Sequence, residues 1–254
     1  MNEIKILPFG SGSTGNSVYI EIGPYHLLVD MGIGFRKIRD TLFLYDRDIS
    51  SIEAIFVTHG HYDHIKSAKA IANHVSCDVY CDSSALYPIR DISARRVVIE
   101  PYEMFEPLEG LYVTMFSLPH DYVRTNGYIF EYEDKKVGYV TDCGKMNDTI
   151  LSYLYGSDVV ILESNHDVEM LKNGPYPKQL QDRILSKFGH LSNKEAAETI
   201  EMLYDKGTRN FLLAHLSLQN NTPEIALKTA QEKMEGKDVN IFACPDIGQT
   251  MYRF

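Results

Sequence analysis

A chain of 254 residues, 44% hydrophobic and 24% charged, is long enough to bury a substantial core, and a single domain over residues 1–254 is expected. Its net charge of −10 speaks against a broad basic surface for nucleic acid, but leaves room for bound cations concentrated at one site. No run of about 18 apolar residues is present to span a membrane, and the first residues lack the pattern of a secretion signal. The four cysteines, Cys77, Cys81, Cys143 and Cys244, form no regular framework, so free thiols and a cytoplasmic location are expected.

Apolar alternation predicts strands over residues 4–9, 18–22 and 26–29, with the turn Gly10-Ser11-Gly12-Ser13-Thr14-Gly15-Asn16 after the first. Residues 36–45 have helical spacing. A short apolar strand over 54–57 then runs into Thr58-His59-Gly60-His61-Tyr62-Asp63-His64, and a helix is expected over 65–75. The middle of the chain reads as strands over 97–99, 111–118, 127–132 and 136–141. A helix over 148–154 and a buried strand over 158–163 follow. In the last third, Ser192 and Glu195 form a capping box for a helix to about residue 204. Residues 210–214 form a strand, Thr222-Pro223 opens another helix, and strands near 239–242 and 249–252 close the chain. Strands followed by helices, given twice, fit an α/β protein with two mixed sheets covered by helices on their outer faces.

The densest chemical signal is His59-x-His61-x-Asp63-His64, three imidazoles and a carboxylate at a strand-to-helix junction. These are ligand types for Zn²⁺, Mn²⁺ and Fe. In an extended turn His59 and His61 project to one side, while Asp63 and His64 at the helix start can reach a second ion. One cluster supplies too few ligands for two ions. His120, Asp142 and His215 each follow an apolar strand, where α/β active sites gather, and complete the set. Read singly, each of these is equally a hydrogen-bonded histidine or a turn aspartate. The loop from Ser11 to Asn16 is either a tight turn or a cradle for phosphate in which Ser13 and Asn16 take part. The pairs Arg36-Lys37 and Arg95-Arg96 read as solvated surface. His26 and His74 read as structural.

The order of these motifs resembles the metallo-β-lactamase superfamily over nearly the whole chain: Asp30, then the His59 cluster, His120, Asp142 and His215. The resemblance implies an αββα sandwich and two divalent ions, Zn or Mn with Fe also admitted. His59, His61 and His120 would hold one ion and Asp63, His64 and His215 the other. Asp142 would lie between them, and Asp30 behind them as an orienting residue. The chain is most similar to the WalJ/YycJ-like group, related to RNase Z-type nucleases. The matching stretches are Gly10–Ser17, Glu163-Ser164-Asn165-His166-Asp167, Gly189-His190-Leu191-Ser192-Asn193 and Leu213–Ser217. Gly60 departs from that group, many of whose members carry glutamate there.

That resemblance implies a phosphodiesterase, with a DNA 5′-to-3′ exonuclease as the leading expectation. The catalytic residues would be His190 as proton donor, Glu163 as its partner, and Asp63. DNA is the expected substrate, no membrane association is expected, and oligomeric state is left open. Asn165 and His166 are placed behind the ligands or against substrate, and His166 reads equally as a polar core histidine. The acidic charge keeps a second reading in view, a hydrolase of a small phosphodiester such as a cyclic nucleotide.

Overall fold

The computed structural model describes residues 3–244 and 250–254. The first sheet begins with the antiparallel strands β1 (Lys5–Gly10), β2 (Ser17–Ile22) and β3 (Tyr25–Val29). It continues in parallel through β4 (Ala54–Phe56), β5 (Asp78–Cys81) and β6 (Arg96–Val98). The second sheet repeats that plan. Its antiparallel strands are β7 (Met104–Leu108), β8 (Leu111–Leu118), β9 (Thr125–Tyr132) and β10 (Lys135–Val140). Parallel strands β11 (Val159–Glu163), β12 (Asn210–Ala214) and β13 (Asn240–Ala243) extend it. The last strand, β14 (Tyr252–Arg253), returns to pair with β1, so among the described residues each sheet has seven strands.

Two-residue alternation sorts the side chains into layers. Ile20, Leu27, Val29 and Phe56 face Phe130, Tyr139, Ile161 and Leu212 in a core between the sheets. Their neighbours Tyr19, Leu28 and Ile55 point the other way, onto Ile38 and Leu42 of α1 (Phe35–Phe43) and Ile71. Val140, Val160, Leu162 and Leu213 likewise face outward, against Leu151, Ile200 and Ala226. Those three residues belong to helices described below. The result is an αββα sandwich, as the motif order implied. Phe56 anchors the middle layer, its ring 5.0 to 5.5 Å from those of Tyr80, Tyr128 and Phe130. Burying a ring of that size contributes about 2–3 kcal/mol.

The helix expected over 65–75 is instead two pieces, α2 (Tyr62–Ile65) and α3 (Ala68–Ala72). The cause is long-range. The carbonyls of Asp63 and His64, which a continuing helix would use, accept from the amides of Asn16 (2.8 Å) and Met31 (2.7 Å). Diverting them stitches the junction to the glycine-rich turn and to the end of β3. The remaining helices are α4 (Asp148–Leu154), α5 (Val168–Asn173), α6 (Lys178–Ile184), α7 (Asn193–Tyr204) and α8 (Pro223–Lys233). The Ser192–Glu195 capping box and the Thr222 cap are both present. The expected final strand begins at 249, outside the described residues, and pairing is seen at Tyr252 and Arg253. No helix among the described residues is long and apolar enough to cross a membrane.

Candidate metal centre

Strand direction decides where the polar residues meet. Asp30, Thr58-His59, Asp142, Glu163 and His215 all lie at the carboxyl ends of parallel strands β3, β4, β10, β11 and β12. His120 follows β8, which runs in the direction of β10. Both sheets therefore deliver their functional side chains to one end of the sandwich. Asp30, Asp142 and His215 have left-handed backbones there, with φ of 61°, 57° and 56°. That conformation costs on the order of 1 kcal/mol for each non-glycine residue.

Ligand atoms of His59, His61 and His120 lie within 4.8 Å of one another, and so do those of Asp63, His64 and His215. Asp142 joins the two groups. Its Oδ2 is 3.2 Å from His64 Nε2, and its Oδ1 is 3.7 Å from His120 Nε2 and 3.6 Å from His215 Nδ1. All seven ligand positions expected from the sequence are thus brought together. Five of them, His61, Asp63, His120, Asp142 and His215, line a cavity of about 240 Å³ together with Ser13, Asn165, Arg183 and His190.

Most of the imidazoles are held from behind. His64 Nδ1 donates to Asp30 Oδ2 at 2.7 Å, and Asp30 also accepts from Thr58 N and Oγ1, both at 2.8 Å. His59 Nδ1 rests on Thr58 Oγ1 at 3.0 Å. His120 Nδ1 donates to the Gly189 carbonyl at 3.0 Å, and His215 Nδ1 to Glu163 Oε1 at 2.7 Å. One nitrogen of each of these four rings is therefore committed, and the other faces the cluster, where His64 Nε2 also meets Asn16 Nδ2 at 3.0 Å. His59 Nε2 and His61 Nδ1 face each other at 2.9 Å. Asp142 Oδ2 is buried without a well-formed hydrogen bond among the described residues. Crowded imidazole nitrogens around an unsatisfied buried carboxylate fit a divalent transition metal.

The electrostatics agree. Burial, then the neighbouring His64, pushes His59 well below the ordinary histidine range, and burial followed by His120 lowers His61. Burial works against the charge of Asp142, but the imidazoles of His215 and His64 hold its carboxyl far below the usual range. Burial also opposes protonation of His215, yet Asp142 and Glu163 raise it to about 9. Without a cation, protons on His64 and His215 balance Asp142. Metal binding at such a site releases protons.

Glu163 has a different part. It is fully buried, and five donors converge on it. Oε1 accepts from His190 Nδ1 (2.8 Å), His215 Nδ1 (2.7 Å) and Asp142 N (3.3 Å). Oε2 accepts from Cys143 N (2.9 Å) and Leu191 N (3.0 Å). Burial alone would raise this carboxyl, but His190 and His215 hold it at about 2. With both oxygens committed, Glu163 is an ionised anchor rather than a free ligand. It fixes a proton on Nδ1 of His190 and leaves Nε2 for other partners.

The remaining expected residues separate. Asn16 sits directly behind the site, its Nδ2 3.1 Å from Asp63 Oδ2 and 3.0 Å from His64 Nε2, while its Oδ1 accepts from Gly12 N. The loop is thus a tight turn wired to the metal residues, and Ser13 reaches the cavity. Asn165 lines the cavity and donates to the His215 carbonyl at 2.9 Å. His166 does not join the cluster. It is buried beneath α7, and among the described residues neither ring nitrogen has a partner. Thr58 and Tyr122 are structural parts of the site that sequence reasoning missed. Tyr122 packs edge-on against His59 and His61, with centroids at 5.4 and 4.7 Å. It also explains Gly60, because a Cβ there would meet Tyr122 Oη at 2.3 Å and Pro88 Cγ at 2.7 Å.

Residues 25–216, most of the chain, match the β-lactamase superfamily domain. The chain belongs to that superfamily. Within it, the chain is 32% identical over 249 residues to exodeoxyribonuclease WalJ of Streptococcus pneumoniae serotype 2 (strain D39 / NCTC 7466), covering 95% of this chain and 93% of that one. It is 31% identical over 244 residues to exodeoxyribonuclease YycJ of Bacillus anthracis, covering 94% and 92%. The metallo-β-lactamase fold protein YhfI of Bacillus subtilis superposes with a TM-score of 0.74 over the full length of both chains, at 17% identity. Superfamily membership thus rests on sequence, and the sandwich fold on sequence and structure together.

Proposed function

We propose that this protein is a metal-dependent exodeoxyribonuclease that removes nucleotides from the 5′ end of DNA. The observation that carries the reading is the Glu163–His190 pair, 2.8 Å apart, standing at the rim of the metal-ligand cluster. The similarity to WalJ and YycJ, which extends over more than nine-tenths of each chain, supplies the substrate class.

In this reading His59, His61 and His120 hold one ion, Asp63, His64 and His215 a second, and Asp142 is shared. The donors suit Zn²⁺ or Mn²⁺, with Fe also admitted. Divalent ions bound there supply Lewis acidity, lowering the pKa of a water and countering charge that develops on the phosphoryl oxygens. The chain's own residues do the rest. Asp30 and Thr58 keep the imidazoles of His64 and His59 in register, and Asn16 restrains Asp63. Glu163 keeps His190 protonated on Nδ1, so that Nε2–H can deliver a proton to the leaving oxygen. As the P–O3′ bond breaks, a water oxygen bonds to phosphorus and gives its proton to solvent, O3′ takes the His190 proton and departs as a hydroxyl, and solvent reprotonates His190.

The net charge of −10 favours a second substrate, a small phosphodiester that needs no long basic track. Chelator-stripped protein restored with Mn²⁺ or Zn²⁺ separates the two on end-labelled duplex DNA, single-stranded DNA and a bis-aryl phosphodiester. Stepwise loss from duplex 5′ ends, abolished in Asp142→Ala, is the expected result. Cleavage of the small diester alone would move the assignment to small molecules.

A further inference from the structure

His190 lines two cavities. One is the metal-site cavity. The other, about 280 Å³, lies under the start of α7 between His166, Leu185, Ser192 and Lys194. His166 lies on its wall, 99% buried, and among the described residues neither ring nitrogen has a hydrogen-bond partner, an expensive arrangement. Burial lowers His166 to about 4, so the ring is neutral and presents one donor and one acceptor. Lys194 shares the chamber wall with Glu195 and Glu198, so the lining is polar and its formal charge is not positive. Such a lining suits an uncharged sugar and base better than a second backbone phosphate.

We propose that this chamber is the subsite for the terminal deoxynucleoside that is released as the leaving group. The inference rests on the nuclease reading above and deepens it. His190 protonates O3′, so the nucleoside attached to O3′ must continue past His190, and the chamber is the space that adjoins it there. A leaving group that is itself the released nucleotide is the one at the 5′ end, which accounts for 5′-to-3′ polarity. The volume, near the lower end of small-molecule sites at roughly 300 Å³, admits one nucleoside and so limits release to one nucleotide at a time.

The test uses the metal-loaded full chain and 2′-deoxyadenosine 5′-monophosphate as probe. Leu185→Trp narrows the chamber from a residue that is already 38% exposed, and His166→Phe keeps a ring but removes its polar atoms. With metal content and melting temperature at wild-type values, both variants are expected to bind the nucleotide about tenfold more weakly and to degrade duplex DNA about tenfold more slowly. Wild-type affinity in both variants would mean that the nucleotide is held through its phosphate at the metals, and would overturn the subsite. Nucleotide binding that depends on Leu185 in a protein that leaves DNA intact would support the subsite while refuting the nuclease reading. DNA cleavage indifferent to both substitutions would do the reverse.

Discussion

Glu163→Gln preserves shape, removes one charge and replaces one acceptor oxygen with an NH₂ group. Oε1 now takes three donors and Oε2 two. If the amide nitrogen takes the Oε2 place, the backbone N–H groups of Cys143 and Leu191 are stranded. In the other orientation both imidazoles lose their acceptor. Each stranded buried donor costs about 1–3 kcal/mol, so two cost roughly 2–6 kcal/mol. For a protein of this size that is a fall in melting temperature of roughly 4–24 °C, measured on the metal-free form so that ligation does not mask it. In the orientation that turns the NH₂ group toward His215, that ring also loses the contact that orients it, and metal affinity should drop about 10–100-fold. Competition with a chromophoric chelator reads that drop. His190→Ala should leave affinity near wild type, because His190 is not among the expected ligands. A Glu163→Gln protein that melts within about 2 °C of wild type and binds metal equally well would refute the anchoring role of the carboxylate.

Two further consequences concern stability. Gly60→Ala drives a methyl group into Tyr122 and Pro88 and should cost about 1–3 kcal/mol in urea unfolding. Tyr122→Phe in the same chain removes the hydroxyl met at 2.3 Å and should restore at least half, and an unchanged midpoint in Gly60→Ala would contradict the close approach. Glu21, on β2, pairs with Arg47 at 2.6 Å and Lys5 at 2.8 Å. Burial opposes its charge, but those cations lower its carboxyl from 4.5 to about 2. A depressed folded-state pKa stabilises above the unfolded value and is lost as pH falls through the folded one. The shift corresponds to about 3 kcal/mol, reduced by solvent near Lys5 and Arg47 to about 2 kcal/mol. Wild type should therefore exceed Glu21→Gln by that margin at pH 7. The gap should close between pH 4.5 and about 2, and a constant gap would exclude this ion pair as its source.

The layers were readable because burial alternates so regularly. Ile20 beside Tyr19, and Leu27 beside Leu28, face opposite sides of one sheet as two-residue periodicity requires. The metal positions were readable because each polar residue follows an apolar strand, and parallel strands bring such ends together. What the sequence hid depends on distant partners. The break at Lys66 and Ser67 arises from amides of Asn16 and Met31. Short strands β5 and β7 carry mixed polarity and acquire their identity from neighbours already in the sheet. Helices α5 and α6 are short, with only Leu171 and Gln181 fully buried, so they lack a strong apolar stripe. Nothing local in Glu163 reveals that it serves His190 and His215 at once, and nothing local in His166 sets it apart from the cluster. Gly60 was noticed as a departure, but its reason is the ring of Tyr122, which lies 62 residues further along the chain.

The most direct test of the account is the response of His190→Ala to the leaving group. DNA releases a basic alkoxide that needs a proton, whereas a bis-aryl phosphodiester releases a stable phenolate that does not. If His190 is the donor anchored by Glu163, the variant should lose about 10²–10⁴-fold on DNA and less than about tenfold on the aryl diester, at wild-type metal content. An equal loss on both substrates would show that His190 acts on binding or structure, and would contradict its role as proton donor.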